Sequence, residues 1–197
     1  MRSGYHRSTM QTLGFCLFDT AIGYCGIAWS SAGLTGVQLP EPDAAASRAR
    51  MQRRFPGVPE CQAPPEVLHA SGEVAALLRG ERNDLRHLPL DLDGVGDFHR
   101  RVYALARAID PGQTRTYGEL AQALGEPGAA RAVGQALGHN PFAPVVPCHR
   151  ILAADGRSGG FSANGGVATK LRMLLTEQAQ FGAPGLFDGT ADNNSGG

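Results

Sequence analysis

Two short helical segments joined by a tight turn constrain the fold of this chain more than any other feature. Residues 117–124 and 129–137 have helical patterns, and a Gly-Glu-Pro-Gly turn separates them. Thr116 precedes the first segment, with Glu119 three residues later, which predicts a capping box. This arrangement is typical of a helix-turn-helix. The second segment is mostly Ala and Gly around Arg131, so it could lie close to DNA or simply pack against neighbouring helices.

A cysteine beside a histidine follows the helix pair, in Pro147-Cys148-His149-Arg150. Cysteine attacks only as the thiolate, and a nearby imidazole can take its proton. Neighbouring residues on a strand point to opposite faces, so the two are predicted to lie on a turn or to act through a water. Glu177 could orient His149 as the third member of a triad. The alternative is a buried, structural Cys-His pair.

Residues 98–177 resemble the O6-alkylguanine-DNA alkyltransferase family. The resemblance rests on His139-Asn140-Pro141, on Val146-Pro147-Cys148-His149-Arg150-Ile151 and on Ala129-Ala130-Arg131-Ala132-Val133-Gly134. It implies direct-reversal DNA repair by a methylated-DNA–[protein]-cysteine S-methyltransferase. The alkyl group of O6-alkylguanine in duplex DNA would move irreversibly to the protein's own cysteine, in a single turnover, after base flipping. O4-alkylthymine stays open as a second substrate.

The resemblance also implies a role for each catalytic residue. Cys148 would be the nucleophile, His149 would remove its proton through a water, and Glu177 would orient His149. Tyr117 would stabilise the leaving guanine. Asn140 would tie the turn after the second helical segment, 129–137, to the loop that carries Cys148.

The DNA and pocket residues are implied in the same way. Arg131 would fill the hole left by the flipped base. The other residues expected at the DNA are Ala129, Ala130, Gly134 and Thr116. The substrate pocket would include Ile151, Phe161 and Ser162. Phe161 stands where the family often has tyrosine, which leaves the range of accepted alkyl groups open.

The predicted fold class is α+β, with two domains. Residues 1–92 would form a small α/β domain with short antiparallel strands at 14–18, 26–29 and 36–39, helices at 44–55 and 65–79, and a strand at 88–92. Residues 93–180 would form a mostly helical, winged-helix-like domain for DNA binding and alkyl acceptance. Asp97 should cap a helix at 98–108. A last helix, 168–178, should turn Leu171, Leu174 and Leu175 inward, and 181–197 has the composition of a disordered tail.

Charge is distributed unevenly along a chain of zero net charge. Residues 1–97 carry 9 Arg and 11 acidic residues, whereas residues 98–177 carry 9 basic and 5 acidic residues. The resulting balance of +4 lies in the segment that would face phosphates. The 17 Arg against one lysine, Lys170, suggest genomic base composition more than function.

Other sequence features argue for a reduced, cofactor-free protein. No apolar run approaches the roughly 20 residues of a membrane span, and no signal peptide is apparent. Four cysteines could form disulfides, but the chain is long and lacks a secretion signal, which favours a reducing compartment. Their spacing, with no C-x-x-C, does not support a zinc site. His69 and His87 look isolated. We therefore expect a cytoplasmic monomer that binds double-stranded DNA containing alkylated bases, without membrane association, metal or diffusible cofactor.

Three alternatives differ in what the cysteine does. A non-enzymatic lesion binder of the same fold would lack the cysteine of this motif. A helix-turn-helix regulator could use the alkylated cysteine as a sensor. A cysteine hydrolase built on Cys148, His149 and Glu177 would turn over many times and would need an oxyanion hole.

Overall fold

The computed structural model describes residues 11–154, 156 and 160–180. The predicted tail at 181–197 lies outside the described residues. The described part is α+β, as predicted, with a three-stranded antiparallel sheet, six helices and a two-stranded parallel pair. None of its helices is long and apolar enough to cross a bilayer.

The N-terminal half packs two helices on a meander. The strands are β1 (Gly14–Phe18), β2 (Cys25–Trp29) and β3 (Leu34–Gln38), in sheet order β1-β2-β3. Helix α1 covers Ala44–Arg54 and helix α2 covers Pro65–Leu78. The Asp43 side chain caps α1 by accepting a hydrogen bond from the Ala46 amide, as its position in the sequence predicts.

Two expectations for this half were wrong. The predicted strand at 88–92 is only an isolated bridge between Leu34 and Leu90. Pro89 lacks the amide proton that a longer ladder would require. His69 and His87, expected to be isolated, lie together beside Glu73.

The C-terminal half is mostly helical. Helix α3 covers Asp97–Arg107, strand β4 covers Arg115–Thr116, helix α4 covers Tyr117–Ala123 and helix α5 covers Ala130–Gly138. A single 3-10 turn, Cys148–Arg150, leads into strand β5 (Ile151–Leu152), which pairs with β4, and helix α6 covers Gly166–Thr176. The predicted capping box of Thr116 and Glu119 is present at the start of α4.

Helix ends differ from prediction where no side-chain cap defines them. Asp97 is the first residue of α3 and not its cap, because Gly96 occupies the cap position. Helix α6 ends at Thr176, so Glu177 is its C-cap.

Leu175, expected to point inward, is 66% exposed. The buried positions of α6 are Lys170, Met173 and Leu174, and position 175 lies about 100° further round the helix.

The core consists of two main apolar clusters that meet at the segment carrying Cys148. One lies under the sheet and α2, and the other lies among α3, α4 and α5. Val145 belongs to the first cluster, whereas Val146 and Cys148 belong to the second. The Val37 amide also donates to the Pro141 carbonyl at 2.8 Å. The segment that carries Cys148 is therefore held from both sides.

Candidate active site

Cys148 begins the 3-10 turn, and its thiol lies almost entirely inside the protein. The Cys148 amide donates to Val146 O at 2.8 Å, and the Arg150 amide donates to Pro147 O at 3.0 Å. The turn that the adjacent Cys-His pair predicted is thus confirmed. It lets neighbouring side chains serve one site, which an extended strand would prevent.

A buried network joins His149, Arg150 and Glu177. His149 Nε2 lies 2.9 Å from Glu177 Oε1. Arg150 donates to the same carboxylate twice, from Nε at 2.9 Å and from Nη2 at 2.8 Å. The remaining guanidinium nitrogen, Nη1, donates to Ile109 O at 2.6 Å. Glu177 is therefore both the expected partner of His149 and the acidic partner of Arg150.

The charges of this network follow from its hydrogen bonds. Burial raises the pKa of Glu177, but the hydrogen bonds from His149 and Arg150 outweigh it and hold that pKa at about 2. Burial lowers the pKa of His149 more than Glu177 raises it. Since Arg150 already neutralises Glu177, the imidazole does not have to carry a charge. At neutral pH the network is therefore a carboxylate, a guanidinium and a neutral imidazole.

The neutral imidazole has one free lone pair. With Nε2–H donated to Glu177, the other nitrogen, Nδ1, is the acceptor. Within the described ranges, His149 Nδ1 is buried without a hydrogen-bond partner. Glu177 thereby selects the tautomer in which Nδ1 can accept a proton.

The Cys148 thiol is protonated at rest. Burial raises its pKa, and a hydrogen bond from Asn140 together with the charge of Lys170 opposes that rise. Asn140 also donates from Nδ2 to Val146 O at 2.8 Å and accepts from the Phe142 amide at 2.9 Å. It therefore ties the end of α5 to the segment that carries Cys148.

A cavity of about 230 Å³ opens onto the thiol. Cys148, Asn140, Phe161 and Ser162 line it. The size is slightly below the usual range of small-molecule pockets, roughly 300–1,000 Å³, which leaves room for one base-sized group. The predicted pocket residue Ile151 does not line this cavity and is fully buried.

Two arginines from the N-terminal half also line this cavity, and sequence reasoning missed both. Arg50 and Arg54 lie one turn apart on α1. Arg54 donates to Val37 O and to Pro141 O, and burial lowers its pKa to about 10, so it stays charged. In the sequence, the i, i+4 spacing of the two arginines was the only sign that they lie on the same face of α1.

Lys170 is a third residue that sequence reasoning missed. Its side chain is fully buried, and Nζ donates to Ile151 O at 2.6 Å and lies 5.9 Å from the centre of the Tyr117 ring. Burial lowers the Lys170 pKa to about 8, and burial followed by the nearby Cys148 raises that of Tyr117. The lone lysine was therefore misread as a compositional effect. Its position one turn before Leu174, on the apolar face of α6, was the available signal.

The residues expected at the DNA lie on α5, at its N-cap and at the N-cap of α4. Arg131 is exposed. Ala129 and Ala130 are half-buried against the C-terminal cluster, so helix packing accounts for part of their small size. Gly134 lies over the Tyr117 ring, and the Thr116 hydroxyl is used by the capping box. Of the five residues, Arg131 alone is exposed, and the other four are half-buried.

Comparison with known proteins gives one consistent picture. Residues 97–179 match the family model for the 6-O-methylguanine DNA methyltransferase DNA-binding domain. A methylated-DNA–protein-cysteine methyltransferase of Mycolicibacterium paratuberculosis is 37% identical over 163 residues, covering 81% of this chain and 89% of that protein. A DNA base-flipping protein of Thermus thermophilus is 36% identical over 154 residues, covering 78% and 95%. The crystal structure of Mycobacterium tuberculosis OGT in complex with DNA superposes with a TM-score of 0.67 at 32% identity, covering 84% and 93%.

Proposed function

Because the chain belongs to the methylated-DNA–protein-cysteine methyltransferase family, we propose that it repairs alkylated DNA by taking the alkyl group onto Cys148. The reaction is direct reversal. The alkyl group of O6-alkylguanine in duplex DNA moves irreversibly to the cysteine, in one turnover, without a diffusible cofactor. The role of Cys148 rests on one observation, the position of its thiol. The protonated thiol lies at a base-sized cavity, and the neighbouring residue, His149, is a neutral imidazole whose Nδ1 has no hydrogen-bond partner.

The first step is proton removal. The described residues show no direct hydrogen bond between the thiol and the imidazole, so a water carries the proton from Cys148 Sγ to His149 Nδ1. The positive charge that forms on His149 is stabilised by Glu177, 2.9 Å from Nε2. Asn140 and Lys170 stabilise the thiolate, since both lower the pKa of Cys148.

The second step is a displacement at an sp3 carbon. The thiolate attacks the alkyl carbon, a C–S bond forms, the C–O6 bond breaks and its electron pair moves into the guanine. The Tyr117 hydroxyl, whose raised pKa keeps it protonated, stabilises the negative charge that develops on the base. Lys170, beside the Tyr117 ring, adds positive charge on the same side. The thioether is stable, which makes the reaction a single turnover.

Access to the thiol requires the base to leave the duplex. Cys148 is buried, so it cannot reach an atom inside the base stack. The exposed Arg131 on α5 is the side chain that fills the space left in the stack. The balance of +4 in residues 98–177 supplies the attraction for phosphates.

The remaining assignments are also proposals. A division into residues 1–92 and 93–180 is supported by the second apolar cluster, whose buried members all lie between Val102 and Ile151, whereas the first cluster also includes Val145 and Met173. Backbone groups of Ile151 and Ser162 would read the guanine edge, although Ile151 O already accepts one hydrogen bond from Lys170. A thiol acceptor that must stay reduced favours the cytoplasm. A single chain brings Cys148 together with His149 and Glu177, so the site needs no second copy, which favours action as a monomer.

The test is the intact mass of the protein after incubation with duplex DNA containing O6-methylguanine, followed by peptide mapping. We expect the stoichiometric gain of one methyl group in place of a hydrogen, located on Cys148. Cys148→Ala should abolish the gain and retain DNA binding. Retained transfer in that variant, or repeated turnover of an ester substrate by the wild-type protein, would refute the assignment.

A further inference from the structure

Two histidines and a glutamate converge on the surface of the N-terminal half. His69 and Glu73 are one turn apart on α2, so they share a helix face. The chain after α2 brings His87 to the same place. His87 Nε2 lies 2.8 Å from Glu73 Oε2, and His69 Nε2 lies 3.6 Å from the same oxygen. All three donor atoms lie within 4.8 Å of one another.

We propose that His69, Glu73 and His87 bind one Zn²⁺ ion. Imidazole nitrogens and carboxylate oxygens are zinc ligands at about 2.0–2.2 Å, usually in a tetrahedron that one or more waters can complete. Donors around such an ion are separated by roughly 3.3 Å, which follows from those bond lengths. The two separations from Glu73, 2.8 and 3.6 Å, fall on either side of that value, and the two histidines must move to within it from a separation of at most 4.8 Å.

The environment of the three ligands suits this role. The side chains of His69 and His87 are 70% and 55% exposed, so both can rotate and an ion can reach them. Glu73 is more buried, and its other oxygen, Oε1, accepts from Asn83 Nδ2 at 3.3 Å. That hydrogen bond orients the carboxylate and leaves Oε2 for the metal.

The ion would add a cross-link between α2 and the segment around His87, which already share the first apolar cluster. The segment carrying His87 also contacts α3, because Arg107 Nη2 donates to Leu85 O, Arg86 O and Leu88 O. Arg86 in turn donates to Arg107 O and Ala108 O at the end of α3. A zinc ion would therefore join α2 to the connection between the two halves. Since the unfolded chain does not hold these ligands together, zinc would stabilise the folded form.

The test is a zinc titration of the full-length reduced protein, in competition with a chromogenic chelator. The Cys148→Ser variant is titrated in parallel, because a thiolate also binds zinc. We expect one equivalent of Zn²⁺ bound with a micromolar or tighter dissociation constant in both proteins. His69→Gln and His87→Gln should each weaken binding by at least about tenfold, since even the loss of a ligand's hydrogen-bond partner costs about that much.

A matched control and an independent readout complete the experiment. His99→Gln changes a half-buried histidine on α3 and should leave zinc affinity unchanged. Zinc should raise the melting temperature of the wild-type protein and of His99→Gln, but not of His69→Gln or His87→Gln. Unchanged affinity in His69→Gln and His87→Gln, binding lost only in Cys148→Ser, or no bound zinc at micromolar concentrations would each overturn the proposal.

Discussion

The Glu177→Gln substitution tests the buried network most directly, because glutamine resembles the protonated carboxyl group. The pKa of Glu177 is about 2 in the folded protein, against about 4.3 for an unperturbed glutamate. That difference corresponds to about 3 kcal/mol of folding free energy. The side chain is only 3% exposed, so solvent screening removes little of this. The loss of one partner from a buried ion pair, typically about 3–5 kcal/mol, gives a similar value.

The assay is urea and thermal unfolding at pH 7. A loss of about 3 kcal/mol should lower the melting temperature by roughly 6–12 °C for a protein of this size. The matched control is Glu126→Gln, which removes a carboxylate that is 46% exposed and pairs with Arg101 at 3.0 Å. Such surface pairs contribute about 0–1 kcal/mol. Equal losses in the two variants would refute the argument that Arg150 and His149 depend on a buried charge.

A double mutant separates two causes of the lost stability, the missing Glu177 carboxylate and the Arg150 guanidinium left without a counterion. Glu177→Gln leaves the Arg150 guanidinium buried without a counterion. Adding Arg150→Met removes that charge and should recover part of the lost stability. Recovery should be incomplete, because Ile109 O also loses the hydrogen bond that Arg150 Nη1 donates. If the second substitution only adds to the loss, an uncompensated charge is not the cause.

Three further predictions follow from the same site. The folded-state pKa values of Glu177 and His149 are both lowered, so their contributions to stability are present above the unfolded values and are lost on acidification. The urea midpoint should fall first below about pH 6.5 and more steeply from about pH 4.3 towards 2, and a flat profile over that range would contradict both assignments. Arg131→Ala should slow repair of duplex DNA by about tenfold or more, since a flipped base costs a few kcal/mol, yet spare reaction with free O6-benzylguanine; equal losses would argue against a role in flipping. Lys170→Met should raise the Cys148 pKa, so transfer should slow at pH 7 and partly recover at higher pH, and an unshifted pH profile would remove Lys170 from the chemistry.

The fold was predictable where short-range geometry decides it. Asp43 and Thr116 cap their helices because a cap depends on residues two or three positions away. The predicted burial of Leu175 and the predicted strand at 88–92 were wrong, because each depends on contacts with distant parts of the chain. Burial on α6 follows the packing of Met173 and Leu174, which the local pattern did not distinguish from that of Leu175.

The candidate site was predictable to the extent that the motif is local. The Cys-His turn follows from the sequence around it, whereas no local pattern required Glu177 to pair with His149. The double use of Glu177 by His149 and Arg150 depends on how α6 packs against the turn. No spacing rule connects residues that are 28 positions apart.

By itself, the sequence determined the helix-turn-helix, the turn that carries Cys148 and the family. These features rest on hydrogen bonds and side chains that lie within a few residues of one another. Only the tertiary structure decided the protonation states of Cys148 and His149, the burial of Lys170 and the meeting of His69 with His87. The physical reason is that desolvation and pairing of charges depend on which distant segments exclude water from a group, and that is a property of the packed protein.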